Sequence, residues 1–490
     1  MRSRVRRHLA SVVPELFEDH LPPVAVLAVA GSLPRSEDDG KKVPVLPPEF
    51  NWRDYTVMLL HVAAEIEHSL MVQYLFAAYT MGGPQVPGEL RTKVRRWQET
   101  ILGIAKEEMG HLVTVQNLLT ALGGPVNLDR EDYPWGSDFY PFAFDLSPFG
   151  LDSLARYVVA ESPASWSDAE AEEIKKRAAR AAGGQYVNRV GRLYHRIDEI
   201  LKRRHFLPDE VFHAETLPYQ ASWDEWGRGY TRGERGQDAG NVPDVKSPEL
   251  LVLRVFSRDS ARAALREVGE QGEAPNASAD EPSSHFNRFL GIYREVAALP
   301  RDQQALVSRP VAPNPVTEHL LDQWEEGYAA GERTTNPITH PVAAPWAHLF
   351  NLRYRMLLTD VSHAFLLAGP VDNGGVLTGR GALVHRAFAE MYNLRAIAGR
   401  LVELPLTPEP DGWCAGPPFE MPYSVELPHR DRDRWLLQRD LVEASQLLVE
   451  QFVKTGESHA DDPYLLALRD SDQRALAQID QVLSRQGCAR

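Results

Sequence analysis

Apolar residues recur at spacings of three and four along most of the chain, and this periodicity predicts helices. The two longest runs cover 54–80 and 95–122, and each stops close to a pair of glycines, as helices often do. The other predicted helices are 151–162, 167–182, 185–203, 258–271, 284–298, 344–368, 379–402, 431–456 and 463–486. Alternation typical of strands is nearly absent. The pattern therefore predicts an all-α protein.

The distribution of helices and prolines predicts three regions. An N-terminal extension, 1–45, precedes the helices of 46–300, and a Pro-rich stretch (RPVAPNPVT) leads into a second helical region, 301–490. We expect 46–300 to form a bundle and 301–490 to pack on it. The apolar segment Pro22–Pro34 does not directly follow the basic start, so we interpret it as a short strand or packed extension rather than a signal peptide.

Composition excludes several classes of protein. The 490 residues are 43% hydrophobic and 25% charged, which is typical of a soluble globular chain. A net charge of −15 disfavours binding to nucleic acid or to anionic lipid. No apolar run reaches the roughly 18 residues of a membrane span, and two cysteines exclude a disulfide framework and a Cys-rich zinc site. We expect a cytoplasmic protein without nucleic-acid or membrane partners.

Polar residues interrupt the apolar face of helix 95–122. Glu108 and His111 lie in a stripe that includes Ile104 and Leu112. A carboxylate at a core position is costly unless it is paired or binds a metal. Glu and His three residues apart project from one helix face, which suits two ligands of one ion. A buried Glu bonded to its own His is an equally good interpretation of this helix alone.

The first helix carries two candidate carboxylates, Glu65 and Glu67. Glu67 shares a face with apolar residues such as Leu70, whereas Glu65 shares a face with His61 and His68. The polar face resembles one that contacts solvent or lies outside a metal site. Periodicity therefore selects Glu67 as the candidate ligand.

Glu67 with Glu108 and His111 would form half of a carboxylate-bridged di-iron site. Such sites in four-helix bundles take a Glu from each of two helices and a Glu-x-x-His pair from each of the other two. The candidates for the second half share a position at the edge of an apolar stripe or at a helix end: Glu161, Glu270, Glu273 and His285. Periodicity does not choose between Glu270 and Glu273.

At these residues the sequence resembles the ferritin-like family typified by the iminophenylpyruvate dimer synthase domain of violacein-type pathways. The similar stretches are AAEIEHSLMVQYLFAAYT, IAKEEMGHLVTVQNLLTALGG, REVGEQGEAPNASADEPSSHFNRF, NPITHP, LFNLRYRMLL and AGPPFEMPY. They span about 55–425. The resemblance implies a ferritin-like four-helix bundle, elaborated with additional C-terminal helices and long Pro-rich loops. It also implies these metal ligands: Glu67, Glu108, His111, the Glu270/Glu273 pair and His285.

The resemblance further implies oxidative chemistry on an aromatic amino-acid derivative in secondary metabolism. In that family, two imine molecules derived from an aromatic 2-oxo acid are oxidatively coupled. The implied cofactor is iron, as one or two ions, with manganese as an alternative and participation of a haem left open. The implied partners are a small aromatic substrate, O₂ or peroxide, and either a further copy of the chain or other enzymes of the pathway.

One departure from the family pattern concerns the third helix. A Gly-Glu-Leu-Tyr element of the family reads Gly191-Arg192-Leu193-Tyr194 here, so Arg192 replaces a potential ligand. Glu161 then completes the site, or one metal position is weakened, or the site holds a single ion.

Two functions follow from these observations. The first is a metal-dependent oxidoreductase that uses O₂ or peroxide on an aromatic amino-acid-derived imine or amine. The second is a non-catalytic ferritin-like protein that stores metal or acts as a pathway scaffold. The long Pro-rich loops and the second helical region favour the enzyme, because a storage bundle needs no such additions. Arg192 favours the second function.

Overall fold

The computed structural model describes most of the chain in two compact units. The described residues are 44–131, 133, 140–184, 187–227, 229–230, 245–273, 284–317, 335–409, 412–421, 424–455 and 462–487. The first unit comprises 1–78, 84–145 and 149–307, and the second comprises 79–83, 146–148 and 308–490. The predicted N-terminal extension, including Pro22–Pro34, lies almost entirely outside the described residues.

Helices dominate the described residues up to 307. They are α1 (Trp52–Thr80), α2 (Arg91–Ala121), α3 (Leu151–Ala160), α4 (Ala169–Ala181), α5 (Gly191–Leu201), α6 (Trp223–Trp226), α7 (Arg258–Val268), α8 (His285–Ala297) and α9 (Arg301–Gln304). Short 3₁₀ turns form at Gly88–Leu90, Asp209–Val211 and Ala214–Tyr219, and a π-helical turn, Gly269–Glu273, follows α7. The prediction of an all-α fold is confirmed.

The second unit is also built on helices. They are α10 (Ala343–Ala364), α11 (Gly379–Leu401), α12 (Asp431–Thr455) and α13 (Pro463–Gly487). Four strands of two residues each accompany them: β1 (Pro315–Val316) pairs in parallel with β2 (Asn336–Pro337), and β3 (Asp372–Asn373) pairs antiparallel with β4 (Val376–Leu377). In the described part of the chain, no helix is both long enough and apolar enough to cross a membrane.

A glycine ends α2 at the predicted place. Gly123 follows the C-cap residue Leu122 with φ of +67°, and Gly124 donates its backbone N–H to Leu119 O at 2.8 Å. This left-handed conformation satisfies the last carbonyls of the helix and favours glycine. A Cβ on Gly123 would lie 2.5 Å from an Arg53 guanidinium nitrogen, so the Arg53 side chain would have to shift to make room for a larger residue.

Two shorter helices end or begin at candidate ligands. Glu161 is the C-cap of α3, and Pro163 follows it closely. Proline cannot continue a helix, because its ring clashes with the preceding turn. At the start of α8, the Ser284 hydroxyl accepts a hydrogen bond from Asn287 N at 3.2 Å and caps the helix immediately before His285.

The prediction of a helix at 185–203 is wrong for 187–190, because α5 begins only at Gly191, and 185–186 lie outside the described residues. Asn188 N donates to Pro141 O at 2.5 Å, and Val190 N donates to Ala160 O at 3.2 Å. The backbone before Gly191 is therefore paired with neighbouring segments instead of with its own helix. Hydrophobic periodicity carries no information about such pairing.

Protein covers part of the polar faces of α1 and α2. His68 and Ser69 on α1 are fully buried, so solvent contact does not apply to these two residues, and the alternative of a face outside the metal site remains. On α2, Asn117 Nδ2 donates to Ala221 O and to Leu253 O, each at 2.9 Å. These bonds hold an irregular segment against the side of α2 that carries few apolar residues. The sequence did not predict this segment, because it binds Asn117 through backbone carbonyl groups, which every residue has.

Candidate metal centre

Five fully buried side chains from α1, α2 and the ends of α3 and α8 converge in the first unit. They form two overlapping groups whose ligand atoms lie within 4.8 Å of one another. Half-site A consists of Glu67, Glu108 and His111, and half-site B consists of Glu108, Glu161 and His285. Glu108 therefore belongs to both half-sites.

Each histidine directs its Nδ1 atom at carboxylates. In half-site A, His111 Nδ1 lies 3.4 Å from Glu67 Oε2 and 3.1 Å from Glu108 Oε2. In half-site B, His285 Nδ1 lies 2.9 Å from Glu108 Oε1 and 3.7 Å from Glu161 Oε2. The two oxygens of Glu108 thus face different histidines, whose ring centroids are 5.4 Å apart.

The outer nitrogen of each histidine faces a hydrogen-bond acceptor. His111 Nε2 lies 2.7 Å from Gln271 Oε1, and Gln271 Nε2 donates to Glu249 O at 3.0 Å, which fixes the orientation of the amide. His285 Nε2 lies 3.0 Å from Glu107 Oε2. Since an amide oxygen and a carboxylate only accept, both Nε2 atoms carry a proton. Metal-binding histidines are commonly held in this way through their second nitrogen.

The residues present fit a pair of metal ions. A neutral histidine in this orientation turns its Nδ1 lone pair towards carboxylate oxygens, and such a set of acceptors is stabilised by a cation among them. Glu108 Oε1 and His285 Nδ1 are buried, and neither has a hydrogen-bond partner among the described residues. Carboxylates and imidazoles are the donor types of iron and manganese carboxylate sites in helical bundles, and this cluster has three of the four carboxylates and both imidazoles of such a site.

The electrostatics of the cluster favour a cation. Burial alone would raise the pKa of Glu108, but His285 and His111 hold that pKa well below its ordinary value. Burial alone would lower the pKa of His285, but the surrounding carboxylates, first Glu108 and then Glu107, raise that pKa well above its ordinary value. A proton on His285 and a metal ion would therefore compete for the same negative charge.

Two tyrosines hold the outer oxygens of the carboxylates. The Tyr74 hydroxyl donates to Glu161 Oε1 at 2.5 Å, and the Tyr194 hydroxyl donates to Glu67 Oε1. Burial raises the pKa of Tyr74 well above its ordinary value, and the negative charge of Glu161 raises it further, so this hydroxyl remains a donor. Helix α5, which has Arg192 where the family pattern has Glu, thus contributes a tyrosine to the cluster.

The π-helical turn Gly269–Glu273 brings Gln271 to the cluster instead of Glu270. Glu270 is exposed and belongs to neither half-site, and the side chain of Glu273 lies outside the described residues. Within the turn, Gly272 has φ of +151°, and a Cβ on it would lie 3.0 Å from His285 Cβ and 3.2 Å from Glu161 Oε2. A glycine is therefore needed where the turn approaches half-site B.

Periodicity placed five of the candidate residues correctly on buried faces, namely Glu67, Glu108, His111, Glu161 and His285. It separated Glu67 from Glu65, which is half-buried and lies in neither half-site. Sequence reasoning missed Glu107, Gln271 and Tyr194. No sequence pattern marked Glu107, because its partners His285 and Arg288, which both contact its Oε2, come from the distant helix α8.

Comparisons with known proteins find one matching family model and two similar proteins. A family model described as Ferritin-like matches residues 60–294. The chain is 28% identical to dichlorochromopyrrolate synthase of Lentzea aerocolonigenes over 79% of this chain and 38% of that protein. It is 27% identical to 2-imino-3-(indol-3-yl)propanoate dimerase of Chromobacterium violaceum over 53% of this chain and 25% of that protein. The chain therefore spans well under half the length of these relatives.

Among solved structures, the chain is similar to a ferritin-like protein from Caulobacter vibrioides, with a TM-score of 0.42 and 16% sequence identity. The match covers 75% of this chain and 99% of that structure. The ferritin-like resemblance stated from the sequence motifs is confirmed by the family model, since residues 60–294 match a ferritin-like domain, and the two relatives are proteins to which this chain is similar.

Proposed function

We propose that the protein is an oxidoreductase that holds two metal ions, iron or manganese, and oxidatively couples an aromatic 2-imino acid. The observation that carries this proposal is the position of Glu108, one buried carboxylate whose two oxygens face two different histidines. The names of the two relatives support the substrate class, since one is named as a dimerase of an indole-bearing 2-imino acid. Glu270, which is exposed, is not part of the proposed ligand set.

The proposed roles of the residues follow from their contacts. Glu67 and His111 would hold one ion, Glu161 and His285 would hold the other, and Glu108 would be shared. Tyr74 and Tyr194 would fix the orientation of Glu161 and Glu67 through a hydrogen bond to one oxygen of each. When bound, the ions would supply one-electron redox chemistry with dioxygen or a peroxide. The five ligands are fully buried, which keeps bulk water from reactive species.

Oxidative coupling is a balanced two-electron reaction. Two imino-acid molecules form one carbon–carbon bond and lose two protons and two electrons. The electrons and protons reduce one dioxygen to hydrogen peroxide, or one hydrogen peroxide to two waters.

The test uses the full chain reconstituted with Fe(II) without oxygen. We expect about two iron ions per chain, and dioxygen consumption that rises when 2-imino-3-(indol-3-yl)propanoate is added, with a coupled dimer as the product seen by mass spectrometry. The double variant Glu108→Ala, His111→Ala should lose both the metal and the substrate-dependent oxygen consumption. Glu99→Ala, on the same helix and outside both half-sites, is the matched control.

Three results would contradict the proposal. Iron content near zero after reconstitution would remove the metal site. Iron oxidation that accumulates ferric mineral, without any dependence on aromatic imines or amines, would indicate a storage protein. A metal-loaded protein that reacts neither with dioxygen nor with these compounds would indicate a scaffold.

A further inference from the structure

The two histidines of the cluster differ in what supports their outer nitrogens. His111 Nε2 faces the neutral amide oxygen of Gln271 at 2.7 Å. His285 Nε2 faces a carboxylate oxygen of Glu107 at 3.0 Å. The surroundings of the two Nδ1 atoms are more alike. Each half-site has one carboxylate of its own that accepts a hydrogen bond from a tyrosine, and both half-sites share Glu108.

Glu107 is held as an anion. Arg288 donates to its Oε2, and the backbone N–H of Glu249 donates to its Oε1 at 2.9 Å. The hydrogen bond from His285 therefore ends on a full negative charge, whereas the one from His111 ends on an amide dipole.

The same backbone unit fixes both outer partners. The N–H of Glu249 binds Glu107, and the C=O of Glu249 accepts from Gln271 Nε2 at 3.0 Å. Gln271 cannot turn its amide around without placing its oxygen against that carbonyl. Both supports are thus anchored to the backbone of Glu249, and they differ in charge.

We propose that Glu107 and Gln271 make the two half-sites unequal, so that half-site B binds the first metal ion tightly and half-site A binds the second more weakly. This inference rests on the proposed function, because it assumes that the cluster binds metal. A carboxylate on the outer N–H of a histidine makes the inner nitrogen a stronger ligand, and removal of such a partner typically lowers metal affinity about 10- to 100-fold. Glu107 and Gln271 act through the histidines, as positioning residues.

The test is a titration of the metal-free full chain with Mn(II), in which free ion is measured by its electron paramagnetic resonance signal. We expect two binding steps whose dissociation constants differ by about tenfold or more. Glu107→Gln should weaken the first step, and Gln271→Met should weaken the second.

Single-histidine variants assign the steps to the half-sites. His111→Ala should keep the tighter ion, and adding Glu107→Gln should weaken it by roughly 10- to 100-fold. His285→Ala should keep the weaker ion, which Gln271→Met should weaken further and Glu107→Gln should change less than about twofold. The substitutions at 107 and 271 are also made in the unaltered chain, so the result does not depend on the histidine variants alone.

The matched control is Glu225→Gln, which removes the charge of another buried glutamate in α6 of the same unit. A general structural effect of Glu107→Gln would weaken both steps and would lower the thermal stability of the metal-free chain. Equal affinities in the two histidine variants, or equal weakening of both by Glu107→Gln, would overturn the inference. A chain that binds no Mn(II) would instead contradict the proposed function, so the two failures are distinguishable.

Discussion

Among single residues, burial and the nature of the polar partner separate the candidate ligands from other polar core residues. Gln116 is also fully buried on α2, but its amide bonds both the N–H and the C=O of Asn127 at 2.7 Å and is satisfied. Glu108 Oε1 instead faces His285 Nδ1 without a hydrogen bond. A buried polar residue is therefore a better metal candidate when its neighbours are also acceptors.

The contrast between Glu65 and Glu67 gives a residue-level prediction. Glu67→Ala removes a ligand of half-site A and the acceptor of Tyr194, so metal content should fall by about one ion per chain. Glu65→Ala removes a carboxylate two positions away that lies in neither half-site, so metal content should stay near that of the unaltered chain. Elemental analysis after reconstitution measures both. The reverse result would show that the ions are bound on the other face of α1.

Glu67 and Glu108 could be predicted because a charged residue in an apolar stripe stands out in the sequence. Gln271 could not, because its position depends on a π-helical turn that shifts the helical register after α7. Tyr194 could not either, because a tyrosine in an apolar stripe looks like any core residue. Its role appears only when its hydroxyl is seen against Glu67.

Whole elements position the two half-sites differently. Half-site A is built from the middle of the long helices α1 and α2, where each backbone group is held by its neighbours. Half-site B depends on the C-cap of α3, the first residue of α8 and the approach of the π-helical turn. Helix ends open more readily than helix centres. The lengths and glycine ends of α1 and α2 were predictable, whereas the turn and the late start of α5 depend on tertiary contacts.

We predict that metal binding will slow amide hydrogen exchange most at the helix ends of half-site B. Bound ions stabilise conformations in which their ligands are together, and the largest effect falls on segments that otherwise open locally. Exchange measured by mass spectrometry should slow by about tenfold or more in 269–271 and 285–289, and less in the centres of α1 and α2. The exposed helix α4 serves as the internal reference. Uniform slowing across all helices would contradict this prediction.

At the scale of the whole molecule, the second unit contains its own buried polar network. Arg353 donates to Glu390 at 2.9 Å and to Asp472 at 2.5 Å, and all three are almost completely buried. Asp360 is fully buried in the same set of helices, 3.2 Å from Arg386. Burial raises the pKa of Asp360 from 3.8 to about 7. Sequence patterns predicted these helices but not the network, because its partners come from α10, α11 and α13.

Asp360 should make the stability of the protein depend on pH. Because the folded state binds its proton more tightly than the unfolded state, the free energy of unfolding should fall as pH rises from about 4 to 7. The difference in pKa between the two states corresponds to a change of at most about 4 kcal/mol in the free energy of unfolding. Between pH 5 and pH 8, the free energy of unfolding of Asp360→Asn should therefore fall less than that of the unaltered chain. Urea denaturation of the metal-free proteins measures both.

The exposed Asp372→Asn variant is the matched control and should follow the unaltered chain at both pH values. If the free energy of unfolding changed with pH in the same way for Asp360→Asn and for the unaltered chain, Asp360 would have the same pKa in the folded and unfolded states, and the prediction would be wrong.

The sharing of Glu108 by both half-sites has a consequence for genetic variation. A substitution at His111 or at His285 damages one half-site and leaves the other its own histidine, whereas a substitution at Glu108 damages both at once. Combined histidine substitutions should thus be roughly additive in metal loss, while any change at Glu108 should mask the effect of further changes at either histidine. Position 108 is expected to be the least tolerant of variation in the cluster, and a lineage that loses it should be free to lose the other ligands afterwards.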